Sequence, residues 1–294
     1  MNDIATNLDE PIGLIAGAGR LPLLVAEGIV ESGRRVICCG LDGFAHPRLN
    51  HYCDDYRSVG LAKPGSWLRF LKSHGCQQAV MIGSVHKSAM HCRFRWLKFL
   101  PDLRAIRIWY HRLRHDKRDN AVLMAIADDL ASQGVPLMSS IEFCADHLAT
   151  EGVMTQTQPA ATAAADIEFG WHIAIASADL DIGQALAVKE RDIIAVEAVE
   201  GTDRMIARAG ELCKSGGWTM IKVARPEQDP RFDVPTVGPK TIRNLHAAGC
   251  NTLVIQAGMT LIADKPATLE LADSLKIAVV GKTPAKTDHA KFTE

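Results

Sequence analysis

Apolar runs alternate with helical patterns along the first half of the chain. The first run, residues 12–16, ends in a glycine-containing turn at residues 17–22, and a helical pattern of apolar residues follows over residues 23–30. A second apolar run at residues 35–39 completes a strand, turn, helix and strand. This order is typical of the opening of a doubly wound α/β sheet.

The same alternation continues, with one polar interruption. In the first half we predict further helices at residues 65–73, 121–130 and 140–148 and strands at 79–82 and 135–138. In the second half we predict helices at 167–176, 239–249 and 266–275, and strands at 184–188, 193–198, 218–223, 251–256 and 277–280. We also predict an amphipathic helix that Thr202 or Asp203 caps and that contains Met205, Ile206, Ala209 and Leu212. The strands at 184–188 and 193–198 form a hairpin because a short charged turn joins them.

The polar interruption sets the predicted domain boundaries. Residues 150–165 are polar and small, which is typical of a linker. We therefore expect a two-domain α/β protein with a Rossmann-like N-terminal domain at residues 1–150, a linker at 151–165 and a C-terminal α/β domain at 166–294.

The first turn contains a glycine pattern that resembles a dinucleotide fingerprint without completing it. Its sequence is Gly17, Ala18, Gly19, Arg20, Leu21, Pro22, and the fingerprint would require a glycine in place of Pro22. Pro22 suits the first position of a helix, whose free N–H groups would face an anion. A phosphate or nucleotide contact and a purely structural tight turn both remain open, and a nicotinamide site is disfavoured.

Two charged stretches in the second half are candidates for chemistry. Residues 222–238 combine three prolines with Asp229, Asp233, Arg225 and Arg231, so this loop is stiff and holds its charged groups in place. Such a loop can hold Mg²⁺ and phosphate, although an ordinary surface loop with compensating ion pairs has the same composition. Glu200 and Asp203 flank the start of a predicted helix, where they bind a metal or a sugar hydroxyl or act only as capping groups.

A basic, aromatic-rich segment lies at residues 93–118. It contains nine Lys or Arg residues against two Asp, interleaved with aromatic and aliphatic side chains. This composition is typical of an interfacial membrane contact or an amphiphile-binding flap. A helix with one core face and one solvated basic face explains the pattern equally well.

Composition narrows the class of protein. The chain has 294 residues, is 47% hydrophobic and carries a net charge of −1, which does not favour nucleic acid as a partner. Its eight cysteines contain no Cys-x-x-Cys pair, as expected for reduced thiols in a cytoplasmic protein. The N-terminus lacks an apolar signal segment and no run approaches the length of a spanning helix, so we expect a cytoplasmic protein.

Several segments together resemble one known family. They are Ile-Gly-Leu-Ile-Ala-Gly-x-Gly-x-Leu-Pro at the N-terminus, Pro-Asp-Leu-Arg-Ala at 101–105, Leu-Asp-Ile-Gly-Gln at 180–184, Ala-Val-Glu-Ala-x-Glu-Gly-Thr-Asp at 195–203, the loop at 222–238 and Ala-Gly at 257–258. In this order the segments resemble the LpxI-type UDP-2,3-diacylglucosamine pyrophosphatases of lipid A biosynthesis. The resemblance extends from residue 12 to residue 281. The Glu-Gly-Thr-Asp and Arg-x-Asp-x-Pro-Thr-x-Gly pieces are the most specific.

The resemblance implies an enzyme that holds its substrate in a cleft between an N-terminal domain and a C-terminal catalytic domain. It implies hydrolysis of the diphosphate of UDP-2,3-diacylglucosamine to UMP and 2,3-diacylglucosamine 1-phosphate, with Mg²⁺ or alternatively Mn²⁺ as cofactor. With acyl chains near the basic aromatic segment, we expect peripheral contact with the cytoplasmic face of the inner membrane; a homodimer stays open, and the net charge gives no reason to expect nucleic acid.

The resemblance also suggests roles for individual residues. We expect Asp233 and Asp229 to be catalytic and to bind the metal together with Glu200 and Asp203. The expected substrate-binding residues are Gly17, Ala18, Gly19, Arg20, Leu21, Pro22, Gly201, Thr202, Lys222, Arg231, Thr236 and Gly258.

Two positions depart from the family pattern. Gln256 stands where the family often has glutamate, which puts a ligand role there in doubt, and Ala18 stands where glycine is usual. Two other functions stay open: a non-catalytic nucleotide- or lipid-sensing module using the same interdomain cleft, and a nicotinamide-dependent oxidoreductase, against which Pro22 argues.

Overall fold

The computed structural model describes residues 10–85, 100–110, 119–225, 229, 231 and 234–284. The chain divides into two compact units. The first comprises Met1–Ala145 with Pro230–Asp233, and the second comprises Asp146–Asp229 with Val234–Glu294.

The first unit contains a parallel sheet with strand order β3-β2-β1-β4. Its strands are β1 (Ile12–Ala16), β2 (Val36–Leu41), β3 (Asp55–Val59) and β4 (Gln78–Ile82). Its helices are α1 (Leu21–Glu31), α2 (Pro64–Ser73), α3 (Leu103–Ile108) and α4 (Asp119–Ser132). Short 3₁₀ turns span Pro47–His51, Ser140–Phe143 and Ala145–His147.

The strand order explains why this sheet is doubly wound. The chain moves outward from β1 through α1 to β2, and later crosses back from β3 through α2 to β4 on the far side of β1. Right-handed crossovers in opposite directions place α1 and α2 on opposite faces. Both faces are therefore covered, and β1 is buried along its whole length.

The second unit is built on a mixed sheet with strand order β5-β12-β10-β8-β6-β7. Its strands are β5 (Gly152–Val153), β6 (Ala185–Lys189), β7 (Asp192–Val196), β8 (Trp218–Lys222), β10 (Cys250–Gln256) and β12 (Ala278–Lys282), and a separate parallel pair is formed by β9 (Thr236–Val237) and β11 (Leu261–Ile262). Its helices are α5 (Ala161–Asp179), α6 (Thr202–Leu212), α7 (Pro239–Ala247) and α8 (Lys265–Ser274).

Helices cover both faces of this second sheet. On one face α5 packs on β6 and β8, and its Gly170 lies so close that an added Cβ would meet Ile221 and Val188 at 2.7 Å. On the other face, α6, α7 and α8 contribute buried side chains to a second apolar cluster. The structure thus confirms the predicted α/β class, and it confirms the hairpin of β6 and β7, which pair antiparallel.

The expected linker at residues 151–165 is built into the second unit. Gly152 and Val153 form β5, which pairs antiparallel with β12. The carboxylate of Asp273 accepts hydrogen bonds from the backbone N–H groups of Gln156 (3.1 Å) and Thr157 (2.7 Å). These contacts hold residues 152–157 against β12 and α8.

Two further predictions for the first half need correction. Residues 135–138 make only a single parallel bridge, Ala79 to Leu137, because Pro136 has no N–H to extend the ladder. Residues 140–148 form 3₁₀ turns instead of a helix. Strand β3 was missed because its exposed sequence, Asp-Tyr-Arg-Ser-Val, lacks an apolar pattern.

Within the part of the chain that the structure describes, no helix is both long enough and apolar enough to cross a membrane. Of the basic aromatic segment at residues 93–118, the described part is 100–110, which contains α3. Asp102 caps this helix, because its Oδ1 accepts the N–H of Ala105 at 2.8 Å, and its Oδ2 accepts the N–H of Gly65 at 2.8 Å.

Candidate functional site

The site begins with a buried lysine at the carboxyl end of β8. All five residues of this strand are buried, and Lys222 at its end is only 6% exposed. Lys222 is fixed in register, opposite Ala185 of β6 and Ile255 of β10. Its ammonium Nζ donates to the hydroxyl Oγ1 of Thr202 at 3.3 Å. Because burial of an unpaired charge is costly, this position requires polar partners.

Thr202 is the first residue of α6, and its hydroxyl does not cap the helix. The N-cap is Gly201, whose φ of +83° a residue with a side chain rarely adopts. The predicted capping roles of Thr202 and Asp203 are therefore wrong, because both residues lie inside the first turn. The hydroxyl of Thr202 instead donates to Oε1 of Glu197 at 2.8 Å.

Glu197 is the residue that the sequence predictions missed. Its side chain is only 5% exposed, although it directly follows β7 at the surface end of the strand. Its Oε1 accepts from Thr202, and its buried Oε2 has no hydrogen-bond partner among the described residues. An acid directly after four apolar strand residues could have indicated a buried carboxylate, but the same pattern is typical of a strand end.

Glu200 and Asp203, the two predicted metal ligands at this junction, each form an ion pair with a basic side chain. Oε1 of Glu200 contacts Nη2 of Arg208 at 2.5 Å, and Oε2 accepts the N–H of Ala198 at 3.1 Å. Hydrogen bonding from its own backbone, and then from Arg208, lowers the pKa of Glu200 below its usual value.

Asp203 makes the corresponding contacts toward α7. Its Oδ2 lies 2.6 Å from Nζ of Lys240, and its Oδ1 accepts from Nδ2 of Asn244 at 2.9 Å. The hydrogen bond to Asp203 raises the pKa of the Lys240 ammonium, and their opposite charges add to this. The side chain of Lys240 is 79% exposed, so this pair is open to solvent and to exchange with a ligand.

These groups surround one polar cavity of about 350 Å³ within the second unit. Its lining consists of Glu200, Gly201, Thr202, Asp203, Lys222, Thr236 and Thr241. The first-turn N–H groups of a helix have no intrahelical partners and carry the positive end of its dipole. The start of α6 and the Lys222 ammonium therefore form a site suited to an anion such as a phosphate group.

Six of the predicted site residues thus meet at this cavity: Glu200, Gly201, Thr202, Asp203, Lys222 and Thr236. Gly258 does not line it; its φ is +70°, and its N–H donates to the carbonyl of Ala149 at 2.9 Å. The carboxamide of Gln256 has a structural role, since its Oε1 accepts the N–H of Ala224 at 2.8 Å.

The predicted loop residues are described only in part. Asp229 belongs to the second unit, whereas Arg231 belongs to the first, where its Nη2 lies 3.7 Å from Sδ of Met124. Asp233, the residue expected to be central, lies outside the described residues.

The predicted turn at residues 17–22 lies in the first unit and has a clear packing role. A Cβ added to Gly17 would lie 2.9 Å from the carbonyl carbon of Gly83 and from the carbonyl oxygen of Ser84. Ala18 and Ser84 exchange two backbone hydrogen bonds of 2.9 Å. Gly19 adopts a φ of +105°, and α1 then begins with Leu21 in its first position and Pro22 in its second, one place later than predicted. These contacts support the structural interpretation of the turn.

The cavity also has oxygen donors of the kind that Mg²⁺ prefers. Two carboxylates completed by waters and substrate phosphates are an ordinary arrangement for this ion. Glu200 and Asp203 supply two carboxylates to the lining of the cavity. No cluster of three or more His, Cys, Asp or Glu side chains is found in the described ranges, so two carboxylates are the described contribution to such a site.

Comparison with known proteins covers almost the whole chain. The sequence profile of the LpxI N-terminal domain matches residues 11–147, and that of the LpxI C-terminal domain matches residues 150–280. The chain is also 31% identical over 283 residues to a protein of Caulobacter vibrioides, UDP-2,3-diacylglucosamine pyrophosphatase LpxI, covering 93% of this chain and 98% of that protein.

Among solved structures, one similarity is to a phosphoribosylglycinamide synthetase from Anaerococcus prevotii. The sequences are 14% identical, the match covers 61% of this chain and 32% of that one, and the TM-score is 0.27. A similarity this weak carries no argument about fold or function.

Proposed function

The chain belongs to the LpxI family, and we propose on that basis that it hydrolyses the diphosphate of UDP-2,3-diacylglucosamine in lipid A biosynthesis. The products are UMP and 2,3-diacylglucosamine 1-phosphate. The observation that carries the proposal is a polar cavity with a buried ammonium at the start of a helix, in a chain whose two halves both match the family.

The cavity supports this reaction through its charge. A diphosphate carries negative charge that must be stabilised as the bond between its phosphorus atoms and the bridging oxygen breaks. Lys222 and the first turn of α6 present fixed positive groups to the cavity. Because the ammonium is buried and held in register, it needs little reorganisation when charge develops on the substrate.

The hydrolysis itself consumes one water molecule. The water oxygen bonds to the phosphorus nearer the sugar, the bond from that phosphorus to the bridging oxygen breaks, and UMP leaves with the bridging oxygen. We propose that Asp233 orients this water and that Asp229 assists it. The support for these two roles is their place in the proline-containing sequence between β8 and β9.

Mg²⁺ is the proposed cofactor, with Mn²⁺ as the alternative. Glu200 and Asp203 would hold it from the β7–α6 junction, and Asp229 and Asp233 would hold it from the loop. When bound, the ion neutralises charge on the phosphate oxygens. The support for this proposal is the presence of both junction carboxylates at the cavity that Lys222 lines.

We further propose a cytoplasmic enzyme that contacts the inner membrane peripherally. Leu103 on α3 is 86% exposed, and Ile106 and Trp109 are about half exposed. These side chains belong to the segment with nine basic residues, and such a combination favours an anionic lipid surface.

The proposed function is tested with purified protein and UDP-2,3-diacylglucosamine. We expect UMP release in Mg²⁺ that a chelator abolishes and that added Mg²⁺ or Mn²⁺ restores. In the same assay, Asp233→Ala should bind the substrate while losing turnover. Binding without any UMP release by the unmodified protein would instead favour a sensing role, and near-native turnover by Asp233→Ala would remove that residue from the mechanism.

A further inference from the structure

Behind the cavity lies a carboxylate to which the proposed reaction gives no role. The cavity lining includes Thr202 and Lys222 but not Glu197. Glu197 is nevertheless buried, and it contacts the hydroxyl of Thr202 at 2.8 Å, while the same hydroxyl lies 3.3 Å from the ammonium of Lys222. Three buried or partly buried polar groups therefore form a chain that ends at the cavity.

The chemistry of the three groups fixes the direction of this chain. An ammonium can only donate hydrogen bonds, and an ionised carboxylate can only accept them. The hydroxyl of Thr202 must therefore give its one proton to Glu197, which leaves its lone pairs to accept from Lys222. The hydroxyl proton of Thr202 is therefore already used in the hydrogen bond to Glu197. Of these three groups, the Lys222 ammonium is the one that can donate a hydrogen bond to a ligand in the cavity.

The backbone holds both ends of the chain at one edge of the sheet. The N–H of Glu197 donates to the carbonyl of Ala185 at 2.8 Å, and Ala185 is the residue opposite Lys222 in the register of β6 and β8. Gly183 packs so closely on the carbonyl of Glu197 that an added Cβ would lie 1.9 Å from that oxygen. Glu197 therefore has little freedom to move relative to Lys222.

We propose that Glu197 is a positioning residue: through the Thr202 hydroxyl it balances the charge of the Lys222 ammonium and fixes its position for the diphosphate of the substrate. This role rests on the proposed function. It explains why a buried carboxylate with one oxygen unbonded by the described residues lies beside a cavity suited to anions.

The expected effects follow from the chain of contacts. Loss of a hydrogen bond to a charged group typically shifts an equilibrium by about 10- to 100-fold, and we expect a factor of the same size in kcat if that bond positions the cation. We expect Glu197→Gln to lower kcat about 10- to 100-fold with KM within about threefold. Thr202→Val, which keeps the shape and loses the hydroxyl, should lower kcat by a similar factor, and Thr202→Ser should restore it to within about threefold of the original.

The deciding experiment is a double-mutant cycle on UMP release, with melting curves for every variant. If Glu197 acts through Lys222, Glu197→Gln should change kcat/KM less than about twofold in a Lys222→Met background. If instead the double variant lost kcat/KM by the product of the two single-variant factors, the proposal would be overturned. Should Glu197→Gln fail to fold, the Thr202 pair decides, because equal losses in Thr202→Val and Thr202→Ser would equally contradict a role for the hydroxyl.

The control is another buried carboxylate of the same unit. Asp166 on α5 is 2% exposed, and its Oδ1 accepts the N–H of Arg191 at 2.7 Å in the turn at the opposite end of the hairpin. Asp166→Asn should lower the melting temperature and leave kcat within about twofold. An absence of UMP release by the unmodified protein would refute the proposed function itself, whereas normal release with multiplicative losses would refute only the role of Glu197.

Discussion

Two strand-to-helix junctions of this protein share a glycine with a positive φ and differ in the groups that surround them. The β1–α1 junction at residues 17–20 and the β7–α6 junction at residues 197–201 each follow a strand and precede a helix of eleven residues. Each has a glycine with positive φ, +105° at Gly19 and +83° at Gly201. In both cases the chain reverses toward the helix through a conformation that favours glycine.

The difference lies in the neighbours of the two junctions. At the first, backbone meets backbone, because Gly17 and Gly83 leave no room for a side chain between them. At the second, charged side chains meet, because Glu197, Glu200 and Lys222 all contact partners around the cavity. A glycine turn therefore indicates how the chain bends, whereas the charged residues near it indicate whether chemistry is supported there.

Among the tests of this comparison, replacing the buried ammonium of Lys222 should have the largest effect. Lys222→Met keeps the apolar stem and removes the ammonium, so we expect kcat for UMP release to fall about 10²- to 10³-fold, as when one donor to developing charge is lost. Lys189→Met is the matched control, since Nζ of Lys189 binds Oγ of Ser215 and the carbonyl of Gly216, each at 2.7 Å, at the far end of β6. If kcat fell equally in the two variants, the charge at the β7–α6 junction would have no specific role in the reaction.

Crowding the first junction should affect stability by a smaller amount. Gly17→Ala forces a Cβ against the backbone of Gly83 and Ser84, and overpacking of this kind costs about 1–3 kcal/mol in the free energy of unfolding. In Gly60→Ala the new Cβ meets the flexible side chain of Lys63 at 3.2 Å, which can move. Urea unfolding followed by tryptophan fluorescence measures both; similar costs at the two positions would contradict a tight backbone junction.

The smallest expected effect concerns Glu200 and is seen as a dependence on pH. Its folded-state pKa lies below the usual value of 4.5, so its ionised form stabilises the fold above that pH, and this contribution is lost as the pH falls through the lowered pKa. Glu200→Gln should therefore be slightly less stable than the original at pH 7, and the difference should shrink as the pH falls below 4.5. A difference that stays constant with pH would show that the charge of Glu200 contributes nothing to stability.

Much of the fold could be predicted because its central strands are buried on both faces. Strands β1, β8 and β10 are almost wholly buried and centre on apolar residues, so the apolar pattern alone identified them. Edge positions were less predictable: β3 is mostly exposed and carries no apolar pattern, and β5 is two residues long. Their positions are set by pairing with a neighbouring strand, which a single stretch of sequence does not encode.

The candidate site was predicted in part for a related reason. Glycine, acids and a lysine near strand ends indicated Gly201, Thr202 and Lys222, and the structure brings these three to one cavity. Glu197 was missed because its importance depends on its burial, and an acidic residue directly after a strand does not reveal in sequence that it is buried. The roles assigned to Asp229 and Asp233 stay predictions.

The short strand β5 has a consequence for the edge of the second sheet. It covers β12, and Gly281 of β12 approaches Thr150 so closely that an added Cβ would lie 1.8 Å from the carbonyl oxygen of Thr150. Strand β5 therefore protects the edge of β12 from pairing with a strand of another molecule. Because β5 is only two residues long, it forms few hydrogen bonds with any strand added at its own free edge. Among the described residues of this unit, β5 and β12 are the first and last strands along the chain, and their pairing places them side by side, as a circular permutation would require.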